Sequence, residues 1–388
     1  MSRKPIYLDN AATSWPKPPA VAQAVAEYIT QSGVSIRRGS YRRAWEAEET
    51  LLETRELVGA LFGAGDARNV VFSSGATESM NQLVKGLVRA GDHVMVSAME
   101  HNAVLRPLRQ LERRGVTVSV VPCRADGSMD PAALAGCLRP ETRLLVMTHA
   151  SNVCGTILPV REAGAFCRAH GLVFAVDAAQ TAGVIPLSMD EIGADAVVFA
   201  GHKGLMGPQG TGGMVIRPAL AERLEPLIAG GTGSASRSED MPAFLPDRLE
   251  AGTMNLPGLM GLRAGLVWLK ETGIDAVRRH ELALTERFLN AIADGEREGL
   301  LRLVGRQDTE GRCGVVSVQT LRRDAGEAAG ELDRRFGIMT RVGLHCAPSA
   351  HRTLGTLDTG TIRFSFGCFN TEEETDRAAE ALVRLLRE

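Results

Sequence analysis

Short apolar runs alternate with amphipathic segments through the middle of the chain. Six runs rich in Val and other apolar residues, bounded by Gly, Asp or Asn, occupy positions 70–72, 93–96, 116–121, 144–148, 172–176 and 196–199. Helical spacing fills several of the intervals, as at 79–88, 103–113 and 160–170. Strands that alternate with crossover helices predict a mostly parallel sheet covered on both faces, with ligands bound beyond the carboxyl ends of its strands.

The pattern changes at the polar, glycine-rich segment 230–236, which predicts a surface or interface loop. Long helical stretches follow at 257–271 and 274–294, and strand-like runs at 314–318, 338–342 and 362–366. A last helix begins at Thr371, which forms a capping box with Glu374, and its apolar positions make one buried stripe. We therefore predict a large domain over 16–256 and a smaller α+β domain built from 1–15 and 257–388.

Composition supports a globular enzyme and argues against two classes of partner. The 388 residues are 44% hydrophobic and 23% charged, and the formal net charge is −2, so there is no basic excess for nucleic acid or a membrane surface. The seven Cys residues are scattered without a C-x-x-C pair, which favours reduced thiols. The N-terminus lacks the apolar stretch of a signal peptide, and we expect a cytoplasmic protein.

Four polar motifs follow predicted strands and should meet at one edge of the sheet. Lys203, in Gly201-His202-Lys203-Gly204, can form a Schiff base with an aldehyde, and Asp177 can pair with a protonated pyridine nitrogen. The turn 74–78 offers backbone amides for a phosphate, and His101 offers a ring that can stack on a cofactor. Each motif alone is common in purely structural roles. Together they predict a site for pyridoxal 5'-phosphate.

The order and spacing of the motifs resemble those of the cysteine desulfurases, which are class V members of the fold-type I pyridoxal phosphate enzymes. The matching stretches are 7–13, 74–78, 100–101, 151–152, 155–156, 177–180, 201–203, 250–253, 255, 341–348, 362–363 and 369–371. The resemblance implies a mostly parallel seven-stranded sheet sandwiched by helices, with a smaller α+β C-terminal domain. It also implies a homodimer that acts on L-cysteine, with selenocysteine as an alternative substrate.

The resemblance also implies roles for individual residues, none of them as a metal ligand. The implied cofactor contacts are Ala76, Thr77, His101, Asp177, Gln180, His202, Lys203 and Thr253. Among them Lys203 carries the Schiff base, His101 stacks on the ring, and Thr253 reaches the phosphate of the neighbouring subunit. The implied substrate contacts are Ala11, Asn152, Arg341 and Arg363. Arg363 is expected to fork onto the substrate's α-carboxylate.

Cys346 decides the reaction and matches the family's nucleophilic cysteine, which makes it a candidate catalytic residue beside Lys203 and His101. Its thiolate would take the substrate sulfur as a persulfide while alanine leaves. We expect His345 to lower the pKa of this thiol. A free Cys is usually a small buried apolar residue, and we assign that role to the other six.

Two positions depart from the family pattern. Ala200 stands where a Ser or Thr commonly precedes Gly-His-Lys, and Arg37 stands where relatives carry His, which adds positive charge near the entrance. The short stretch from Cys346 to Arg363 favours transfer of sulfur to a docked acceptor protein or a small thiol. Two alternatives remain: another class V enzyme that does not use Cys346, such as a selenocysteine lyase, aminotransferase or epimerase, and a non-catalytic regulatory protein.

Overall fold

The computed structural model describes residues 5–388. The strands are β1 (Ile6–Tyr7), β2 (Val70–Ser73), β3 (His93–Ser97), β4 (Thr117–Val121), β5 (Thr142–Thr148), β6 (Val173–Asp177), β7 (Ala196–Ala200), β8 (Gly212–Ile216), β9 (Leu301–Val304), β10 (Val315–Thr320), β11 (Ile338–Met339), β12 (Arg341–Gly343) and β13 (Thr361–Ser365). The α-helices are α1 (Pro19–Glu27), α2 (Arg42–Phe62), α3 (Ala76–Leu87), α4 (Asn102–Glu112), α5 (Val160–His170), α6 (Met189–Ile192), α7 (Pro218–Ala221), α8 (Leu256–Thr272), α9 (Ile274–Arg297), α10 (Ala325–Phe336), α11 (Pro348–Thr353) and α12 (Glu372–Arg387).

A seven-stranded sheet with the order β2-β8-β7-β6-β5-β3-β4 carries the Val-rich runs. Strands β3 to β7 are parallel to one another, whereas β8 runs antiparallel between β2 and β7. Apolar side chains of α3 and α4 pack on one face, and those of α2, α5 and α8 pack on the other. Burial on both faces explains why the central strands are continuously apolar. The predicted α/β fold is confirmed.

A second, antiparallel sheet has the order β12-β13-β10-β9 and packs against α9, α10 and α12 around its own apolar cluster. The predicted strand 338–342 is in fact two strands in different sheets. The carbonyl of Met339 accepts from the amide of Leu8, because β11 runs beside β1, whereas Arg341 lies opposite Arg363 in β13. Helix α12 has the predicted capping box of Thr371 and Glu374.

Within residues 5–388, we find no helix with both the length and the apolar character needed to cross a membrane.

Candidate active site

A cavity of about 350 Å³ lies at the carboxyl ends of β3, β5, β6 and β7, where β12 and β13 approach the large sheet. The predicted site residues that line it are Ala11, Ala76, Thr77, His101, Asn152, Asp177, Gln180, His202, Lys203, Arg341, Cys346 and Arg363. Thr253 does not line the cavity and is exposed to solvent. The sequence motifs therefore converge on one cavity, with this single exception.

Lys203 follows β7 and is half-buried in the wall of the cavity. The pKa of its amine is lowered to about 8, mainly by burial. The nearby carboxylate of Asp177 opposes this shift, whereas the guanidinium groups of Arg363 and Arg341 add to it. A substantial fraction of the amine is therefore neutral near physiological pH. A neutral amine can attack an aldehyde or accept a proton.

The N-terminal segment fixes the turn that carries Lys203. The hydroxyls of Thr13 and Ser14 donate to the carbonyls of His202 (3.0 Å) and Lys203 (3.0 Å), respectively. The ammonium of Lys17 also donates to the His202 carbonyl, at 3.1 Å. Sequence reasoning did not identify Lys17, and its only signal was its place in the polar turn after β1.

Asp177 ends β6 and is almost fully buried. Its Oδ1 accepts from the amide of Ala179 at 2.9 Å, whereas Oδ2 has no hydrogen-bond partner among the described residues. Gln180 follows in the same turn and donates from Nε2 to the carbonyl of Ala11 at 3.1 Å. One carboxylate oxygen is thus available to a ligand in the cavity, as the predicted contact with a pyridine nitrogen requires.

The turn before α3 forms a phosphate-sized recess. Ala76 and Thr77 begin the helix and line the cavity, and backbone amides in the first turn have no carbonyl partner within the helix. Strand β8 approaches this turn so closely that a Cβ on Gly212 would lie 2.5 Å from the Cα of Gly75. Only glycine fits at position 212, and the close contact fixes the start of α3.

His202 supplies an independent test of whether a phosphate group fits here. Its Nδ1 is buried without a hydrogen-bond partner, although the ring lines the cavity. Burial, with smaller contributions from Lys203 and Lys17, lowers the pKa of His202 to about 4, so the ring is neutral and can donate from Nδ1. The residues present therefore fit pyridoxal phosphate. Ala200 lines the same cavity and offers no hydroxyl.

His101 lies between β3 and α4, where its Nδ1 accepts from the amide of Ala103 at 3.0 Å. Burial lowers the pKa of this imidazole, so it is neutral, and the contact at Nδ1 assigns the proton to Nε2. The preceding Glu100 is completely buried and joins β3 to β5 by accepting from Ser97 (2.5 Å) and the amide of Thr148 (2.8 Å). Sequence reasoning did not recognise this supporting role of Glu100.

Arg363 projects from β13 into the opposite side of the cavity. Its Nη2 donates to Asp9 at 2.7 Å and its Nη1 to the carbonyl of Asn152 at 3.0 Å, and Arg341 lies 3.6 Å from the same Asp9. The Nε of Arg363 is buried without a partner. Two guanidinium groups share one protein carboxylate, so the pair has capacity for the carboxylate of a substrate. Sequence reasoning did not identify Asp9 as their partner.

Cys346 is the exposed thiol at the rim of the cavity, as expected from its turn-like context. Cys154, Cys167 and Cys313 are buried, whereas the remaining three cysteines are partly exposed, so the burial predicted for all six holds for only half of them. His345 does not carry the positive charge through which we expected it to act on this thiol. Burial and the nearby Arg363 lower the pKa of His345 to about 2, and a neutral ring supplies no positive charge.

Arg37 does not add free positive charge at the entrance, contrary to expectation. Its guanidinium contacts Asp247 (3.0 Å) and Glu250 (3.1 Å) and donates to the carbonyl of Thr232. Glu250 also forms a buried ion pair with Arg55 at 2.6 Å. The residue at position 37 therefore ties the glycine-rich loop to the start of α2, and its charge is neutralised there.

Known proteins resemble this chain over nearly its whole length. The sequence profile of the family described as aminotransferase class-V matches residues 6–378. A probable cysteine desulfurase from Methanothermobacter thermautotrophicus is 34% identical, over 99% of this chain and 95% of the relative. A cysteine desulfurase from Escherichia coli is 33% identical, over 98% of this chain and 93% of the relative.

Solved structures give the same result. The apo structure of a cysteine desulfurase from Thermococcus onnurineus has a TM-score of 0.91 and 30% identity, and the alignment covers 99% of this chain and 95% of that one. The cysteine desulfurase CsdA from Escherichia coli has a TM-score of 0.85 and 28% identity, with the same coverage of both chains. The chain therefore belongs to the class-V aminotransferase family, among relatives that are named cysteine desulfurases.

Proposed function

We propose that this chain is a pyridoxal phosphate-dependent cysteine desulfurase, which converts L-cysteine to L-alanine and takes the sulfur onto Cys346 as a persulfide. The observation that carries the proposal is that the amine of Lys203, the thiol of Cys346 and the guanidinium of Arg363 line one cavity. Amine, thiol and carboxylate-binding group are the three functions that this reaction needs. The full-length relatives named cysteine desulfurases support the same assignment.

The residues that would hold the cofactor lie on the large-sheet side of the cavity. The start of α3 and His202 would bind its phosphate, Asp177 its pyridine nitrogen, Lys203 its aldehyde carbon, and His101 would stack on its ring. Bound pyridoxal phosphate supplies an electron sink that stabilises negative charge on the substrate's Cα. Ala200 removes one hydroxyl donor to the phosphate, so His202 and the helix amides carry more of that contact.

The substrate-side residues orient L-cysteine and receive its sulfur. Arg363 and Asn152 bind the α-carboxylate. The amine of Lys203, whose pKa is lowered to about 8, takes the Cα proton in its neutral form. The thiolate of Cys346 then attacks the substrate sulfur. A sulfur–sulfur bond forms, the carbon–sulfur bond breaks with its electron pair remaining on Cβ, and a proton from the site completes the methyl group of alanine. Once the amine of Lys203 has taken the Cα proton, it is the acid in the cavity that can give a proton back, and His101 donates a hydrogen bond from Nε2.

A homodimer completes this proposal. Several large apolar side chains in the first fifty residues are well exposed, including Ile29 (62%) and Trp45 (60%), and a partner subunit would cover them. Thr253 is exposed outside its own cavity, which suits a contact with the partner's cofactor. Sedimentation should give twice the chain mass of 41.5 kDa. A monomer with full activity would contradict the dimer.

We also propose that the enzyme works in the cytoplasm, because an exposed Cys346 must stay reduced to act and all seven cysteines are free in the structure. Its acceptor is a docked protein or a small thiol. The large domain over 16–256 and the smaller one over 1–15 and 257–388 are likewise proposed, because the two main sheets have separate apolar clusters, although α8 packs in the cluster of the large sheet.

The experiment compares L-cysteine with L-selenocysteine in the wild-type protein and in Cys346→Ala, with alanine as the measured product. We expect alanine from L-cysteine in the wild type and a loss of at least about a hundredfold in the variant. Cys368→Ala, a partly exposed cysteine outside the cavity lining, is the matched control and should keep full activity. If Cys346→Ala retained wild-type turnover, or selenocysteine alone were a substrate, the desulfurase assignment would fail.

A further inference from the structure

The turn that carries Cys346 has an unusual backbone. His345 and Cys346 both have positive φ angles, 48° and 58°, in the left-handed region that residues with a Cβ seldom occupy. Two consecutive residues of this kind, neither of them glycine or asparagine, persist only where their surroundings hold them. The contacts of this turn therefore decide where the thiol of Cys346 lies.

Two backbone contacts tie the turn to the large sheet. The side-chain amide of Asn152, after β5, donates to the carbonyl of His345 at 2.6 Å. The amide of Asn102, at the start of α4, donates to the carbonyl of Cys346 at 2.8 Å. Both contacts fix the path of the chain, but neither fixes the ring of His345.

The ring of His345 is held from the other side, by β13. Its Nε2 lies 2.9 Å from the hydroxyl of Thr361, and both residues are buried. Thr361 and Arg363 are two positions apart in one strand and so project from the same face. Arg363 in turn donates to the carbonyl of Asn152, whose amide holds His345. The four residues form a closed circuit between the carboxylate-binding arginine and the thiol-bearing turn.

A second imidazole fills the space beneath this circuit. His351 is fully buried, its ring centroid is 5.5 Å from that of His345, and its Nδ1 bonds the hydroxyl of Thr356 at 2.7 Å. Burial lowers the pKa of His345 to about 2 and that of His351 to about 4, so both rings are neutral. Neutral rings can pack together beside the positive charge of Arg363 without repelling it.

We propose that His345 is a positioning residue for the sulfur-transfer step: its ring, bonded to the Thr361 hydroxyl, holds the left-handed turn that presents the Cys346 thiol to substrate bound at Arg363. The proposal rests on the proposed function and adds a residue to it. Loss of the bond should slow transfer of sulfur to Cys346 while L-cysteine still binds at Arg363.

The test removes the hydroxyl while the strand keeps a side chain of similar shape, in Thr361→Val. Thr361→Ser restores a hydroxyl at the same position. The matched control is Thr142→Val, because the Thr142 hydroxyl also bonds a buried histidine ring, that of His93, at 2.8 Å. Both residues begin their strands, β5 and β3, and so lie at the end of the sheet away from the cavity. Each protein is assayed for alanine formation from L-cysteine, as kcat and KM. Without substrate, the rate at which iodoacetamide alkylates Cys346 is followed by mass spectrometry of its peptide.

For Thr361→Val we expect kcat to fall about tenfold, the effect of one hydrogen bond, with KM within about twofold of the wild type. The alkylation rate of Cys346 should change as the turn loosens. Thr361→Ser should restore both values, and Thr142→Val should leave both unchanged.

The proposal is overturned if Thr361→Val keeps the wild-type kcat, if kcat and KM change in proportion, or if Thr361→Ser is as defective as Thr361→Val. Should Thr361→Val not fold, His345→Asn decides, because Asn tolerates the left-handed backbone but cannot reach Thr361. A fall in kcat alone supports the proposal, and wild-type kinetics reject it. If the wild type itself made no alanine, the proposed function would fail, whereas the alkylation rates would still report whether Thr361 holds the turn.

Discussion

The two walls of the cavity are built in different ways. The cofactor wall is formed by the strand-end residues His101, Asp177 and Lys203, of which Asp177 is buried and the other two are half-buried. The side chains of His101 and Asp177 accept from backbone amides two positions further along the chain. The thiol wall, formed by the turn of Cys346, has a left-handed backbone, an exposed nucleophile and contacts from distant elements. The first wall is suited to hold a cofactor rigidly, and the second to expose sulfur to an acceptor.

The largest expected effect separates the chemistry of the two walls. Lys203→Ala should lose both alanine formation and exchange of the substrate's α-proton with solvent deuterium, each by at least about a thousandfold. Cys346→Ala should lose alanine formation but keep α-proton exchange, because the cofactor wall is intact. Mass spectrometry of recovered cysteine and of alanine measures both. Loss of exchange in Cys346→Ala would show that the walls do not act separately.

A smaller effect concerns Glu100, which precedes His101 of the cofactor wall, and the free energy of unfolding as pH rises. Burial raises the pKa of Glu100 to about 8 from 4.5, so the folded protein keeps a proton that the unfolded chain releases. The free energy of unfolding should therefore fall as pH rises from about 4.5 to about 8. The amide side chain in Glu100→Gln has no proton that titrates in this range. Its stability relative to the wild type should grow by on the order of 3 kcal/mol between pH 4.5 and pH 7, measured by urea unfolding. Parallel pH profiles for the two proteins would contradict this.

The smallest effect concerns His351, beneath the thiol wall, and makes the free energy of unfolding change with pH in the opposite direction. The pKa of His351 is lowered from 6.5 to about 4, so the unfolded chain binds a proton that the folded protein excludes. The free energy of unfolding should fall as pH decreases from about 6.5 to about 4, and His351→Gln should flatten that fall. Urea unfolding at pH 7 and pH 5 measures the change, with the exposed His170 mutated to Gln as the control. An unaltered slope in His351→Gln would refute the assignment.

The same division explains what could be predicted from the sequence. The cofactor wall was predictable because each of its motifs stands directly after an apolar strand, and the ends of parallel strands meet at one edge. Asp9 was not recognised as the partner of Arg363, because 354 positions separate them and only the folded chain brings them together. The partners of Arg37 and the break in strand 338–342 were missed for the same reason. Strand β8 was missed because its two glycines look like loop residues.

His345 shows how neighbours in sequence and neighbours in the fold can favour different roles for one residue. Its position beside Cys346 suggested a charged neighbour that activates the thiol. The structure instead buries the ring against Thr361 and His351, where a charge is disfavoured. Sequence adjacency favoured activation of the thiol by a charge, whereas burial of the ring favours the positioning role that we propose.

The most direct measurement is mass spectrometry of the peptide that contains Cys346, taken after brief incubation of the pyridoxal phosphate-loaded protein with L-cysteine. We expect the mass of one added sulfur atom on Cys346 in the wild type, and no such addition in Lys203→Ala. Persulfide on a different cysteine, or alanine formation without any sulfur on Cys346, would contradict the claim that the amine at 203 and the thiol at 346 serve one reaction.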